Sequence, residues 1–178
     1  MRIAYRVHQF WHTLFIKTDP EDYHQVQQRL TPAQYELFDK LQPAEKSHAL
    51  VMYHKLLQQS ETQPDLLIAA LLHDVGKQRY RLNPMERAMI VLAKAFIPGQ
   101  VEHWGNPPGD DWEGLPSWRK AFILSEQHAS WGAEMAHLAG VSSLTESLIR
   151  QHHRPSGDYA QISDNSLLRK LWLVDNES

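Results

Sequence analysis

The sequence contains no cysteine in its 178 residues, which excludes a disulfide framework and thiolate metal sites. This absence fits a reducing compartment, and we expect a cytoplasmic protein. No stretch approaches the ~18 apolar residues of a membrane span. The apolar run in "MRIAYRVHQFWHTLFIK" is broken by Arg6, His8 and His12, which is not typical of a secretory signal. Any bound metal must be held by His, Asp and Glu.

The chain has no excess of positive charge, because 18 Lys and Arg are set against 21 Asp and Glu, for a net charge of −3. No basic field attracts nucleic acid, so bulk binding of nucleic acid is not expected. The length and the 42% hydrophobic content are typical of one domain with a real core. We expect a single domain over residues 1–178, in which helices of 1–42 pack on a core formed by 43–178. No heptad run specifies an oligomeric state.

Alternation of apolar and polar residues, which is typical of strands, is absent, and the periodicity is helical almost everywhere. The sequence therefore predicts an all-α fold. The Leu and Ala content of Asp65–Val75 favours a buried helix over a strand, and Gly76 is expected to end that helix. Helices are predicted over 3–15, after Asp19, after Thr31, and over 43–58, 65–75, 84–96, 117–140, 142–153 and 163–176.

Glycine and proline are concentrated between residues 98 and 116, where they occupy eight of 19 positions. Such a composition predicts a long irregular loop. Loops of this length are often functional lids. The segment could cover the site, or it could pack Trp104, Trp112 and Trp118 on the outside of the domain.

The most apolar run in the chain, "DLLIAALLHDVGK", ends in His73, Asp74 and Lys77. A buried charge costs several kcal/mol unless it is paired, hydrogen-bonded or bound to a metal. A His-Asp pair alone is a weak motif. Helical bundles, however, build metal sites from side chains on several helices. Further residues of ligand type lie in or next to other predicted helices: His48, His128, His152, His153 and Asp175.

These residue types suit hydrolytic metal chemistry. Imidazoles and carboxylates hold divalent Mn, Fe, Zn, Ni or Mg, and Asp74 can bridge two ions through its two oxygens. Two ions ~3.5–4 Å apart activate water and neutralise a phosphoryl group. Lys77 can reach a phosphate oxygen, or it can simply cap the end of a helix. Arg154 is the best candidate to hold a phosphorylated substrate, ahead of Arg119 and Arg150, although each could be a solvated surface charge.

The order "H…HD-x-G-K…H…HH…D", from about residue 45 to the C-terminus, resembles the HD-domain metal-dependent phosphohydrolases. The resemblance implies that Asp74 bridges two ions and that Lys77 binds phosphate. It also implies a ligand set: His48, His73, Asp74 and Asp175 for the first ion, His128 and His152 for the second, and His153 for a second or third. The substrate it implies is a nucleotide or another small phosphorylated metabolite.

The paired histidines are similar to those of the HD-GYP cyclic-dinucleotide phosphodiesterases, but the residues that follow them differ. This chain reads "RPSGDYA", with Arg154 in place of an acid and without Gly-Tyr-Pro. Two other functions stay open: a non-catalytic HD-type signalling or nucleotide-binding module, and a di-iron oxygenase on a related scaffold. Glu45 is not assigned to a metal, and six further histidines are given no role: His8, His12, His24, His54, His103 and His137.

Overall fold

A computed structural model describes residues 20–109, 112–153 and 167–178. Within these ranges the chain forms nine α-helices, one 3₁₀ turn and no strand, so the all-α prediction is confirmed. None of the described helices is long and apolar enough to cross a membrane. Three predicted features lie outside the described residues: the helix over 3–15, the beginning of the helix over 163–176, and Arg154. The helices are α1 (Pro20–Arg29), α2 (Pro32–Asp39), α3 (Pro43–Gln58), α4 (Pro64–Leu72), α5 (Pro84–Phe96), α6 (Pro98–Gly105), α7 (Ser117–Leu138), α8 (Ser143–Gln151) and α9 (Leu167–Glu177).

The first six helices all begin at a proline, a residue whose fixed φ suits the first turn and whose missing N–H costs nothing there. Capping boxes strengthen two of these starts. Thr31 and Gln34 satisfy each other's backbone N–H groups ahead of α2, and Asn83 and Glu86 do the same for α5. The predicted starts of α1, α2, α3 and α5 are therefore confirmed.

Helix α4 ends at Leu72, three residues earlier than predicted, and Val75–Arg79 form a 3₁₀ turn. Gly76 does not end the helix through a left-handed conformation, because the glycines with positive φ in the described part of the chain are Gly109 and Gly140. Instead, Gly76 allows the 3₁₀ turn to approach α7. A Cβ at this position would lie 2.0 Å from the His128 carbonyl oxygen and 2.7 Å from the Gly132 nitrogen.

The prediction of an irregular loop over 98–116 is wrong in its first half, where Pro98–Gly105 form α6. Burial of Val101 stabilises this short helix against the core. The Trp104 ring lies 5.1 Å from the Phe122 ring, and the Trp112 ring lies 4.9 Å from the Trp131 ring. These contacts favour packing on the domain over a lid.

Helix α4 lies at the centre of the fold and packs against α3, α8 and α9. Its leucines, Leu66, Leu67, Leu71 and Leu72, are fully buried. Burying one such side chain contributes about 1.5–3 kcal/mol. Helix α7 packs along the 3₁₀ turn and α8, and α1 and α2 contribute side chains to the same main core. The residues that follow α4 are therefore held by packing from several directions.

Candidate metal centre

His73 and Asp74 directly follow α4, and both are buried. The His73 Nδ1–H donates a hydrogen bond to the Ala70 carbonyl oxygen at 3.0 Å. Because a carbonyl only accepts, this bond places a ring proton on Nδ1, so that in the neutral ring the lone pair is on Nε2. That Nε2 lies 3.4 Å from Asp74 Oδ2. His73 therefore presents a metal-binding nitrogen beside a carboxylate.

The same arrangement occurs at His128, in the middle of α7, and at His152, just after α8. The His128 Nδ1–H donates to the Leu124 carbonyl oxygen at 3.0 Å, and the His152 Nδ1–H donates to the Ile149 carbonyl oxygen at 2.6 Å. A backbone carbonyl on one ring nitrogen orients the other nitrogen toward a ligand position, as in many metal sites. Both Nε2 atoms face the Asp74 carboxylate.

Asp74 lies between two groups of histidines. Its Oδ2 faces His73, whereas its Oδ1 lies 3.4 Å from His128 Nε2 and 4.0 Å from His152 Nε2. One carboxylate thus directs one oxygen toward each group. This is the placement that a carboxylate bridging two cations requires.

Helices α3 and α9 complete the first group. His48 Nε2, on α3, lies 2.9 Å from Asp175 Oδ1, on α9. That oxygen is also 3.8 Å from His73 Nε2. The ligand atoms of His48, His73 and Asp74 all lie within 4.8 Å of one another. The structure therefore brings together the four residues that the sequence assigned to a first ion.

His153 belongs to the second group. Its ligand atom and those of His128 and His152 lie within 4.8 Å of one another. Its ring centroid is 4.5 Å from that of His128, and its side chain is exposed. The second group therefore reaches from the buried Asp74 toward solvent.

The first test of fit to a metal is hydrogen bonding. Among the described residues, His73 Nε2, Asp74 Oδ1 and His128 Nε2 are buried and have no hydrogen-bond partner. Leaving one such atom unsatisfied costs about 1–3 kcal/mol. His128 Nε2 and Asp74 Oδ1 are both lone-pair donors only 3.4 Å apart, and they repel each other unless a proton or a cation lies between them. These buried His and Asp groups can hold a metal ion.

The charge states also fit. Burial lowers the pKa of His128 well below its ordinary value and lowers that of His152 to about 4, so both imidazoles are neutral at pH 7. Burial acts to raise the pKa of Asp74, but the charge of Lys77 outweighs it and holds this pKa well below the usual range. His73 differs from the other two histidines: burial acts to lower its pKa, but the carboxylates of Asp74 and Asp175 raise it above the ordinary value. Neutral imidazoles and an ionised carboxylate are the forms that coordinate metals.

Lys77 lies in the 3₁₀ turn, and its Nζ is 2.6 Å from Asp74 Oδ2. Its side chain is 27% exposed, so the residue is only partly enclosed by its neighbours. Burial acts to lower the pKa of Lys77, but the carboxylates of Asp74 and Glu45 raise it above the ordinary value. The structure places Lys77 at the candidate metal centre as the partner of Asp74, and its contact with phosphate stays a prediction.

Two features that support the site have no clear pattern in the sequence. One is the contact of Gly76 and Gly132, which brings the 3₁₀ turn against α7 at His128. The other is Asp65, at the start of α4, whose Oδ1 accepts hydrogen bonds from the hydroxyls of Ser142 and Thr145. This cluster joins the beginnings of α4 and α8, the helices that carry His73 and His152 at their ends.

The other charged candidates have structural partners. Arg119 donates to the carbonyl oxygens of His103 and Asn106, and Arg150 contacts Glu146. Glu45 forms a buried ion pair with Arg87, at 2.6 Å between Oε1 and Nη2. These contacts favour the structural interpretation of Arg119 and Arg150, and they leave Glu45 outside the ligand set.

Histidines without an assigned role form pairs outside the metal centre. His54 Nε2 lies 2.9 Å from Asp22 Oδ1, and His137 Nδ1 lies 2.9 Å from Glu146 Oε2. His24 bonds with Gln28. The pair of His54 and Asp22 has the same spacing as that of His48 and Asp175. Within the described residues it belongs to no group of three or more potential metal ligands, so it offers a matched comparison.

Comparison with protein families, curated proteins and solved structures gave no match to this chain. The resemblance to HD-domain phosphohydrolases rests on the motif residues alone. What the structure adds is the convergence of those residues around Asp74.

Proposed function

We propose that this protein is a cytoplasmic metal-dependent phosphohydrolase of the HD-domain type, cleaving a phosphate ester or anhydride of a nucleotide or another small phosphorylated metabolite. The observation that supports this proposal is the position of Asp74, which directs one oxygen toward each of two histidine groups. A bridging carboxylate between two cation sites is typical of two-metal phosphoryl chemistry.

His48, His73, Asp74 and Asp175 would hold one ion, and His128, His152 and His153, with Asp74, would hold the other. Bound divalent ions would supply an acidified water and charge neutralisation at a phosphoryl group. The protein's own contribution is rigid placement. Backbone carbonyls hold the proton on Nδ1 of His73, His128 and His152, and keep the opposite nitrogen directed inward.

Lys77 supplies positive charge at the same position. Its ammonium group balances Asp74. In this proposal it would also offset negative charge that develops on a bound phosphoryl oxygen. Fixed charge of this kind lowers a barrier because no reorganisation is needed during the reaction.

Metal content tests the first half of this proposal. Untagged wild type is expected to contain about two ions per chain by elemental mass spectrometry, and Asp74→Ala to lose most of both. Asp22→Ala, which removes the partner of His54 at the same 2.9 Å spacing, is the matched control and should keep them. Absence of metal from wild type, even after incubation with Mn²⁺, Fe²⁺ or Zn²⁺, would exclude the metal centre.

Turnover tests the second half. Metal-loaded protein is assayed for release of phosphate or p-nitrophenol from p-nitrophenyl phosphate, bis(p-nitrophenyl) phosphate and a nucleotide panel. Wild type and Asp22→Ala are expected to turn over at least one of these, and Asp74→Ala none. A metal-replete protein without turnover would instead be a non-catalytic binding module. Oxygen uptake by iron-loaded protein, again without hydrolysis, would identify an oxygenase.

A further inference from the structure

A small pocket shares Lys77 with the candidate metal centre. It lies where the residues after α2, the first turn of α3 and the 3₁₀ turn meet, and its volume is about 50 Å³. Its polar lining consists of Lys40, Gln42, Glu45, Lys77, Gln78 and Arg81. Lys77 both contacts Asp74 and lines this pocket, so the two sites share this residue.

Positive charge dominates the pocket. Lys40, Lys77 and Arg81 supply three cations, whereas Glu45 is the only acid among the lining residues. The Glu45 carboxylate is already neutralised by Arg87, at 2.6 Å. Lys77 is paired with Asp74 and Lys40 with Glu36, so Arg81 supplies the positive charge that no carboxylate of the described residues balances.

The start of α3 adds to the positive electrostatic potential of the pocket. Gln42 is the N-cap of this 16-residue helix, and its side chain makes no capping hydrogen bond. The partial positive charge at the first turn of a helix favours anions. Gln42 and Glu45, which belong to this first turn and its cap, both line the pocket.

Two of the cations are available to a ligand. Arg81 is exposed and has no acidic partner in the described part of the chain. Lys40 pairs only with Glu36, and the two side chains are 59% and 67% exposed. An exposed pair of this kind contributes about 0–1 kcal/mol, so a bound anion can displace it. Gln78, which also lines the pocket, is held by a hydrogen bond that its Nε2 donates to the Leu37 carbonyl oxygen.

We propose that this pocket is a second phosphate subsite, which binds a phosphoryl group of the substrate other than the one that is hydrolysed. This inference rests on the proposed function. It narrows the substrate to compounds with at least two phosphoryl groups, one reaching the metal centre and one held by Arg81, Lys40 and Lys77. Because Lys77 belongs to both sites, it would contact both phosphoryl groups.

Direct binding tests the subsite without turnover. Inorganic pyrophosphate is titrated calorimetrically into metal-free protein kept in chelator, with wild type, Arg81→Glu and Arg29→Glu compared. Arg29 is an exposed arginine at the end of α1 and serves as the control of equal charge change. We expect Arg81→Glu to bind pyrophosphate at least tenfold more weakly than wild type, and Arg29→Glu to stay within twofold. Equal affinity of wild type and Arg81→Glu, or no binding to wild type, would overturn the proposal.

The preference between two substrates tests the subsite separately from the proposed phosphohydrolase activity. With metal-loaded protein, the ratio of kcat/KM for adenosine diphosphate to kcat/KM for p-nitrophenyl phosphate is expected to fall at least tenfold in Arg81→Glu. An unchanged ratio in an active protein would count against the subsite. If wild type hydrolyses no compound of the full panel above, the phosphohydrolase proposal fails, and the pyrophosphate titration still decides whether the pocket binds anions. Thermal unfolding confirms that the exposed Arg81→Glu change leaves the protein folded.

Discussion

His48 and Asp175 are 127 positions apart in the chain, yet His48 Nε2 lies 2.9 Å from Asp175 Oδ1. This contact joins α3 to α9, a helix close to the C-terminus. Asp175 Oδ1 is also 3.8 Å from His73 Nε2, so α9 closes one side of the first ligand group. Leu171 and Val174 are buried and anchor this part of α9 in the main core.

The substitution Asp175→Asn is expected to weaken metal binding by about tenfold or more, because it removes the charge while keeping a group that can bond to His48. Metal affinity is measured by competition with a chelator. Asp22→Asn makes the same change at the pair of His54 and Asp22 and should leave the affinity unaltered. Equal affinities of the two variants would show that Asp175 is not a ligand.

Gly76→Ala is expected to destabilise the protein by about 3 kcal/mol, since overpacking at a rigid backbone contact is costly. The new Cβ would lie 2.0 Å from the His128 carbonyl oxygen. Urea unfolding measures the change. Gly99→Ala is the control: nothing lies within 4 Å of a Cβ there, and we expect a gain of about 0.5 kcal/mol. A neutral Gly76→Ala would mean that α7 and the 3₁₀ turn can separate.

Arg87→Met is expected to cost about 3–5 kcal/mol in the free energy of unfolding, because it leaves the buried Glu45 carboxylate without its cation. Glu45 is 3% exposed, and its Oε2 already lacks a hydrogen-bond partner among the described residues. The double variant Glu45→Gln with Arg87→Met should recover most of the loss. Glu36→Gln, at the exposed pair with Lys40, should change stability by less than about 0.5 kcal/mol. Similar losses of stability in Arg87→Met and Glu36→Gln would contradict the role of burial.

Lys170→Met is expected to cost about 0.5 kcal/mol at pH 7, since the ion pair of Lys170 with Glu61 is partly exposed. The hydrogen bond from Lys170 lowers the pKa of Glu61 below its ordinary value of 4.5. The unfolded chain therefore binds the proton more tightly than the folded one. The stabilisation is complete above pH 4.5 and is lost as the pH falls through the lowered pKa.

Urea unfolding of wild type and Lys170→Met between pH 7 and pH 3 measures this effect. The difference between the two proteins should be constant down to about pH 4.5 and shrink below it. Glu61→Gln provides the control, because the Lys170 substitution should have no pH-dependent effect in that background. A difference that grows toward low pH would show that another group controls it.

The helix starts were predictable because their determinants are local. Proline at the first position and a capping residue before it act within one turn, and Thr31 and Asn83 illustrate this. The end of α4 was not predictable in this way. A glycine is needed at position 76 because α7 approaches the backbone closely there, and not because the local turn requires it. Likewise, the glycine and proline content of 98–116 did not predict α6. This helix is stabilised by packing of Val101 against residues outside the segment.

The sequence by itself determined the helical periodicity, the residue types of a metal site and their order along the chain. Only the tertiary structure decided that Asp74 directs one oxygen toward each histidine group, that Lys77 pairs with Asp74, and that a cationic pocket lies beyond Lys77. Periodicity and caps act over a few residues and are readable in one dimension. The site instead depends on burial of α4 against α3, α8 and α9, which is a property of helices distant in sequence.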